Sequence, residues 1–191
     1  LEPARARAFL ERHFRARPRR EGFMTGYFEP GYEGRRAPDA TFRHPLRRPP
    51  PSLEGLPERA AIEDGGLADE APPFVWFRDA LEPFLIQVQG SARVALPGGE
   101  TLRLAYAGRN GWPYTSIGKA LVASGHLPAD GVDLPAIRRV FSADPALARA
   151  TLRLNQSYVF FEPRVDAAPD EGPIGAQGLS LIHISEPTRH G

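Results

Sequence analysis

The chain has 191 residues, enough for one domain or two small ones, and its 41% hydrophobic and 25% charged residues are the balance of a globular protein rather than a disordered tail. A formal net charge of +1 excludes a strong electrostatic case for nucleic acid as partner. No apolar run approaches the roughly 20 residues of a membrane span, and the absence of cysteine removes disulfides, thiolate metal sites and a cysteine nucleophile.

Of the 24 basic residues only Lys119 is lysine, and the arginines read as spread along the chain, not gathered on one face. The 21 prolines and 19 glycines, about a fifth of the residues, point to short strands joined by many turns and hence to a β-rich plan.

Residues 4–14 read as an amphipathic helix with Phe9, Leu10 and Phe14 on one face, followed by an arginine-rich stretch that Glu11 and Glu21 dilute. The first twenty residues lack the apolar core of a signal peptide. A strand is predicted over 22–28, entering a turn at Glu29-Pro30-Gly31, with a short extended piece at 41–46 and a polyproline connector at 49–51. Residues 57–64 read as a short helix with Pro57 in its first turn and Gly65-Gly66 ending it. The apolar runs 74–77 and 84–89 read as strands, and 93–96 with 101–107 as a hairpin around Pro97-Gly98-Gly99-Glu100. Helices are predicted at 116–123, stopped by Ser124-Gly125, at 134–141, capped by Asp133, and at 145–154, before a last strand at 158–161. Residues 179–191 have no turn, cap or period tying them to what precedes and look like translated adaptor DNA, so they are set apart as a non-native tail.

The informative stretch runs from Gln89 to Lys119: Gln89-Gly90-Ser91, Tyr106-Ala107-Gly108-Arg109-Asn110-Gly111 and Tyr114-Thr115-Ser116-Ile117-Gly118-Lys119. Glycines beside amide, hydroxyl and ring side chains at strand ends let a backbone approach a ligand closely, as sugar sites require. The same residues also suit plain hairpin turns, with Tyr106 in the core and Asn110-Gly111 as turn chemistry, and the spacing does not choose between the two. Gly118-Lys119 is followed by Ala120, which breaks the phosphate-loop pattern and leaves no nucleotide indicated. Glu29, Glu33, Glu63, Asp64, Asp69, Glu70, Asp79 and Glu82 include no pair singled out for glycosidase chemistry, and His13, His44 and His126 show neither triad nor metal spacing.

Those motifs, together with Thr25-Gly26-Tyr27-Phe28-Glu29-Pro30 and Asn155-Gln156-Ser157-Tyr158-Val159-Phe160-Phe161, resemble in order and spacing the membrane-bound lytic murein transglycosylase A (MltA) family, from about Phe9 to Gly178. The resemblance implies a mainly β fold: a fragment of a double-psi β-barrel domain with an inserted, smaller β-barrel domain carrying several helices. Residues 1–27 would open the outer barrel, 28–165 would be the inserted glycan-binding domain, 166–178 would start the return, and 179–191 would be the tail. A groove between the domains would hold a peptidoglycan strand, with Thr25 and Tyr27 at its floor and Gln89, Ser91, Tyr106, Asn110 and Lys119 as further substrate contacts.

The implied chemistry is non-hydrolytic cleavage of the bond between N-acetylmuramic acid and N-acetylglucosamine. A single aspartate first protonates the leaving oxygen and then, as base, assists the muramyl C6 hydroxyl in forming a 1,6-anhydro product. No metal or organic cofactor is implied. The aspartate is expected beyond the point matching Gly178, so the fragment itself is expected to be inactive. The resemblance further implies a monomer acting in the periplasm at the outer membrane, and it leaves open whether a lipid anchor outside this sequence provides the membrane contact. A carbohydrate-binding module without a catalytic half is the alternative, weakened because an open barrel exposes unpaired strand edges.

Overall fold

The computed structural model describes residues 8–9, 11–14 and 30–164; the predicted strand at 22–28, Thr25, Tyr27 and the tail lie outside the described residues. Within the predicted first helix, residues 8–9 and 11–13 are helical.

Six strands carry the fold: β1 Gly31–Glu33, β2 His44–Arg47, β3 Pro73–Phe77, β4 Ser91–Ala95, β5 Thr101–Arg109 and β6 Val159–Arg164. Four of them form a sheet in the order β1-β4-β5-β6, with β1 parallel to β4 and the other pairs antiparallel. Strands β2 and β3 form a separate antiparallel pair. The two sheets are stitched where the chain leaves β1, since the Arg35 N–H donates to the Trp76 carbonyl at 3.0 Å and the Trp76 N–H returns a bond to Arg35 at 2.8 Å. Gly34 makes this crossing sterically feasible, because a Cβ there would lie 2.5 Å from Val94 Cγ1 and 3.0 Å from Val75 Cγ2. Because β2 also packs against β6, the strands curl around one core. That core holds Leu46, Val75 and Phe77 from the pair and Val94, Leu104 and Phe161 from the sheet. Side chains alternate across a strand, so Phe161 enters this core while Tyr158 and Phe160 turn to a second one under Leu56, Ile62 and Leu67.

Beside the helical residues near the N-terminus and a 3₁₀ turn at Pro97–Gly99, the described structure has α1 Arg59–Ala61, running into a wide turn at Ile62–Gly66, α2 Leu81–Gln89, α3 Ile117–Ala123, α4 Leu134–Ala143 and α5 Pro145–Arg153. The last four share a core built from Leu81, Phe84, Leu121, Ile137, Phe141 and Leu152. Their starts are fixed locally: Ser116 Oγ accepts from the Lys119 N–H, Asp133 from Ala136, and Asp144 from Ala146 and Leu147. The two sheets with several helices agree with the expected mainly β fragment carrying several helices.

Two expectations fail. Residues 84–89 are helical, not extended, and Gly31 belongs to a strand, not a turn. The helix wins because Asp79 Oδ1 accepts the Leu81 N–H at 2.8 Å while Glu82 Oε2 accepts the Asp79 N–H at 3.3 Å, a reciprocal pair that starts α2. Leu81, Phe84 and Leu85 then recur at helical spacing on the face that meets α5. Gly31 is recruited by tertiary pairing with Arg93, which no local signal announces.

Candidate functional site

The motif residues converge on a buried polar knot. Asn110, at the end of β5, is 5% exposed, and both ends of its amide are bound to backbone. Nδ2 donates to the carbonyls of Pro57 at 2.9 Å and Gln156 at 3.0 Å, and Oδ1 accepts the Tyr158 N–H at 2.8 Å. Asn155 Oδ1 takes the Thr115 N–H at 3.0 Å and the Ser157 N–H at 3.3 Å. Beneath them Arg59, 3% exposed, donates Nε to the Asn155 carbonyl at 2.8 Å and one terminal nitrogen to the Ser157 carbonyl at 2.6 Å and to Gln87 Oε1. Its other nitrogen reaches Glu63 at 3.3 Å, and the guanidinium lies 4.8 Å from the Phe84 ring centre and 5.2 Å from that of Tyr158. Burial pushes the Arg59 pKa down, with Glu63 opposing it, and burial lifts the Tyr158 phenol to about 12.

The other predicted contacts are dispersed. Ser91 is buried at the start of β4, opposite Ala105, whereas Gln89 is exposed at the end of α2 and Tyr106 is 42% exposed at that same end of the β4–β5 ladder. The β5–β6 ladder shifts register between Tyr106 and Gly108, where Gly108 has φ of +129° and Leu53 covers the space a Cβ would fill. Lys119 is exposed on α3, beside a depression of about 450 Å³ walled by Val122, Ala129 and Val132. Between these positions the segment after Asn110 presents Trp112 and Tyr114, the former held by its indole N–H donating to the Leu56 carbonyl at 2.8 Å. Gln89, Tyr106 and Lys119 are therefore available to a ligand, while Ser91 and Asn110 lie inside the fold.

A larger feature was not anticipated. Between β2, α2 and α5 opens a cleft of about 650 Å³ lined by Arg43, Arg47, Arg59, Arg78, Arg149 and Arg153. Six of the arginines do gather on one face, contrary to the reading of the sequence, because the β2–β3 pair, α1 and α5 border the same cleft. The local signal was the Arg149–Arg153 spacing of four residues, which puts both on one side of α5. Asp64 bonds to both, at 3.1 Å to Arg149 and 3.1 Å to one nitrogen of Arg153, and Glu63 accepts Arg153 Nε at 3.0 Å. The hydrogen bond from Arg153 holds the Asp64 carboxyl below its ordinary pKa, whereas burial pushes the Glu82 carboxyl up and the His44 imidazole down. Among the described residues no cluster of three histidine, aspartate or glutamate side chains could hold a metal ion.

A family model described as the MltA specific insert domain matches residues 23–162. The membrane-bound lytic murein transglycosylase A of Vibrio cholerae is 36% identical over 164 residues, which are 85% of this chain and 44% of that protein. The protein of the same name from Escherichia coli K12 is 35% identical over 151 residues, 78% of this chain and 41% of its own. Among solved structures, E. coli MltA with bound chitohexaose matches with a TM-score of 0.73 at 32% identity, over 82% of this chain and 46% of that one. The lytic transglycosylase LtgG of Burkholderia pseudomallei matches with a TM-score of 0.69 at 36% identity, over 82% and 47%. The chain thus spans less than half the length of the curated relatives it matches. With a family model covering most of its residues and a matching fold around the same motifs, the chain belongs to the MltA family.

Proposed function

We propose that this chain supplies the insert domain, taken as residues 28–165, of a peptidoglycan lytic transglycosylase that cleaves the MurNAc–GlcNAc β-1,4 bond with formation of 1,6-anhydro-MurNAc. The observation that carries the reading is the match to E. coli MltA in a structure with bound chitohexaose, over most of this chain. In this role the chain is one wall of a glycan groove. Gln89 offers an amide, Tyr106 a ring face and Lys119 a cation at positions open to solvent, and Ser91 and Asn110 hold the strand ends behind them. Thr25 and Tyr27 are assigned to the groove floor by the family motif alone.

The acid–base aspartate of the reaction corresponds to none of the described carboxylates. Glu82, the one pushed towards neutrality by burial, is occupied in starting α2, and Asp64 is held ionised by arginines. The chain by itself therefore binds glycan without cleaving it, as a monomer, and the full protein acts in the periplasm at the outer membrane. Digestion of murein sacculi by the full-length gene product is expected to release anhydro-muropeptides, and hydrolysed reducing ends would overturn the assignment. For the chain itself, calorimetric titration with chitohexaose is expected to weaken roughly three- to tenfold on Tyr106→Ala, the loss of one sugar-facing ring at about 1 kcal/mol.

A further inference from the structure

We propose that the arginine-lined cleft is an anion site that receives short peptides carrying two or more carboxylates, the substituents that distinguish murein from a bare glycan. The assignment of murein as their source rests on the glycan-binding reading above.

Charge is the first ground. Six guanidinium groups line the cleft against the carboxylates of Glu63 and Asp79, with Asp64 and Glu33 paired to lining arginines from its edge, which leaves an excess of two positive charges in a chain whose total is +1. A concave surface of one sign focuses the field on what enters it. His44 adds no charge at neutral pH, because burial keeps its imidazole below the ordinary value.

Availability is the second. Arg59 and Arg153 are consumed by internal partners, but the rim is not. Among the described residues the Arg43 guanidinium makes no hydrogen bond or ion pair, Arg47 spends one nitrogen on the Ala71 carbonyl at 2.9 Å, and Arg149 makes a single bond to Asp64 while its side chain stays 66% exposed. Arg43 and Arg47 stand at the β2 side and Arg149 at the α5 side, so forked donors flank the cleft from two directions.

The lining chooses the ligand. A sugar ring needs an aromatic face, yet the Phe84 and Tyr158 rings that border the cleft already carry the Arg59 guanidinium. What remains between the arginines is the aliphatic surface of Pro45, Pro83 and Leu152, since the third ring of the lining, Phe141, is only 5% exposed. Carboxylates joined by short alkyl spacers match that alternation, and a neutral saccharide does not. The volume, about 650 Å³, lies within the roughly 300–1,000 Å³ of small-ligand sites.

The test titrates the 191-residue chain with three probes: peptide released enzymatically from murein, chitohexaose, and inorganic phosphate. The peptide is expected to bind, with affinity falling severalfold between low and moderate salt. Arg43→Ala combined with Arg149→Ala is expected to weaken it at least tenfold while leaving chitohexaose within twofold. Arg43→Lys with Arg149→Lys, which keeps the charge without the fork, is expected to recover part of the loss and guards against a folding defect. Chitohexaose binding without peptide binding overturns this proposal and leaves the glycan reading standing; peptide binding without chitohexaose does the reverse. Equal loss of both ligands in the alanine variant, or displacement of the peptide by phosphate at equal concentration, also overturns it.

Discussion

The knot around Arg59 and the rim of the adjoining cleft use the same chemistry, guanidinium against oxygen, to opposite ends. In the knot every guanidinium nitrogen of Arg59 is bonded to a carbonyl, an amide or Glu63, and the residue is sealed from water. At the rim, Arg43 and Arg149 stand in solvent with most of their donors unused among the described residues. An arginine locked by two backbone carbonyls and two side chains fixes where chain segments meet, since any displacement strands buried acceptors. An exposed arginine contributes little to folding and stays free to meet a ligand. Two of the five family motifs, those holding Asn110 and Asn155–Tyr158, fall in the first region, and these two report how the insert is held together more than what it touches.

The sharpest way to break this contrast is Arg59→Ala. Leaving the Asn155 and Ser157 carbonyls and Gln87 without their donor is expected to cost about 3–5 kcal/mol, read as a lower midpoint in urea, while Arg43→Ala is expected to leave the midpoint within error. A rim variant that unfolded the protein as readily would erase the distinction. Asn110→Ala comes next: removing three bonds to backbone should cost on the order of 2–3 kcal/mol, and the folded fraction should titrate chitohexaose as the parent does. Unchanged stability with lost glycan affinity would return Asn110 to the groove wall.

The two regions should also answer to pH at opposite ends. Because the Tyr158 phenol is lifted to about 12 from 10.0, the folded state holds a proton that the unfolded state has lost between those values, so stability falls as pH rises through that window. Tyr158→Phe is expected to flatten that alkaline slope in thermal melts, and an unchanged slope would place the phenol in solvent. Asp64 behaves in the reverse sense, its carboxyl being held below 3.8 by the hydrogen bond from Arg153. Its stabilisation is present above the unfolded value and is lost as pH falls through the folded one. The effect is the smallest of the set, because the pair lies at the surface, and it should vanish in high salt and in Asp64→Asn. Persistence of the acid slope in that variant would assign it to another carboxylate.

Local chemistry determined a good part of this molecule. Asp133, Asp144 and Ser116 placed three helix starts through bonds to N–H groups two or three residues on, and Pro97-Gly98-Gly99 placed the β4–β5 connection, because caps and turns are settled within a few residues. The order of five motifs sufficed to recognise the family. The helix at Leu81–Gln89 was also within reach, through Asp79 and Glu82, had its apolar run not looked like a strand.

Only the tertiary structure decided the rest. Whether Asn110 faced a sugar or the backbone depended on Pro57 and Gln156, more than forty residues away on either side, and Gly31 became a strand solely by meeting Arg93. Arginines at positions 43, 59 and 149 look scattered along the chain and share one cleft in space, because charge is read by distance through the fold and not by separation in sequence.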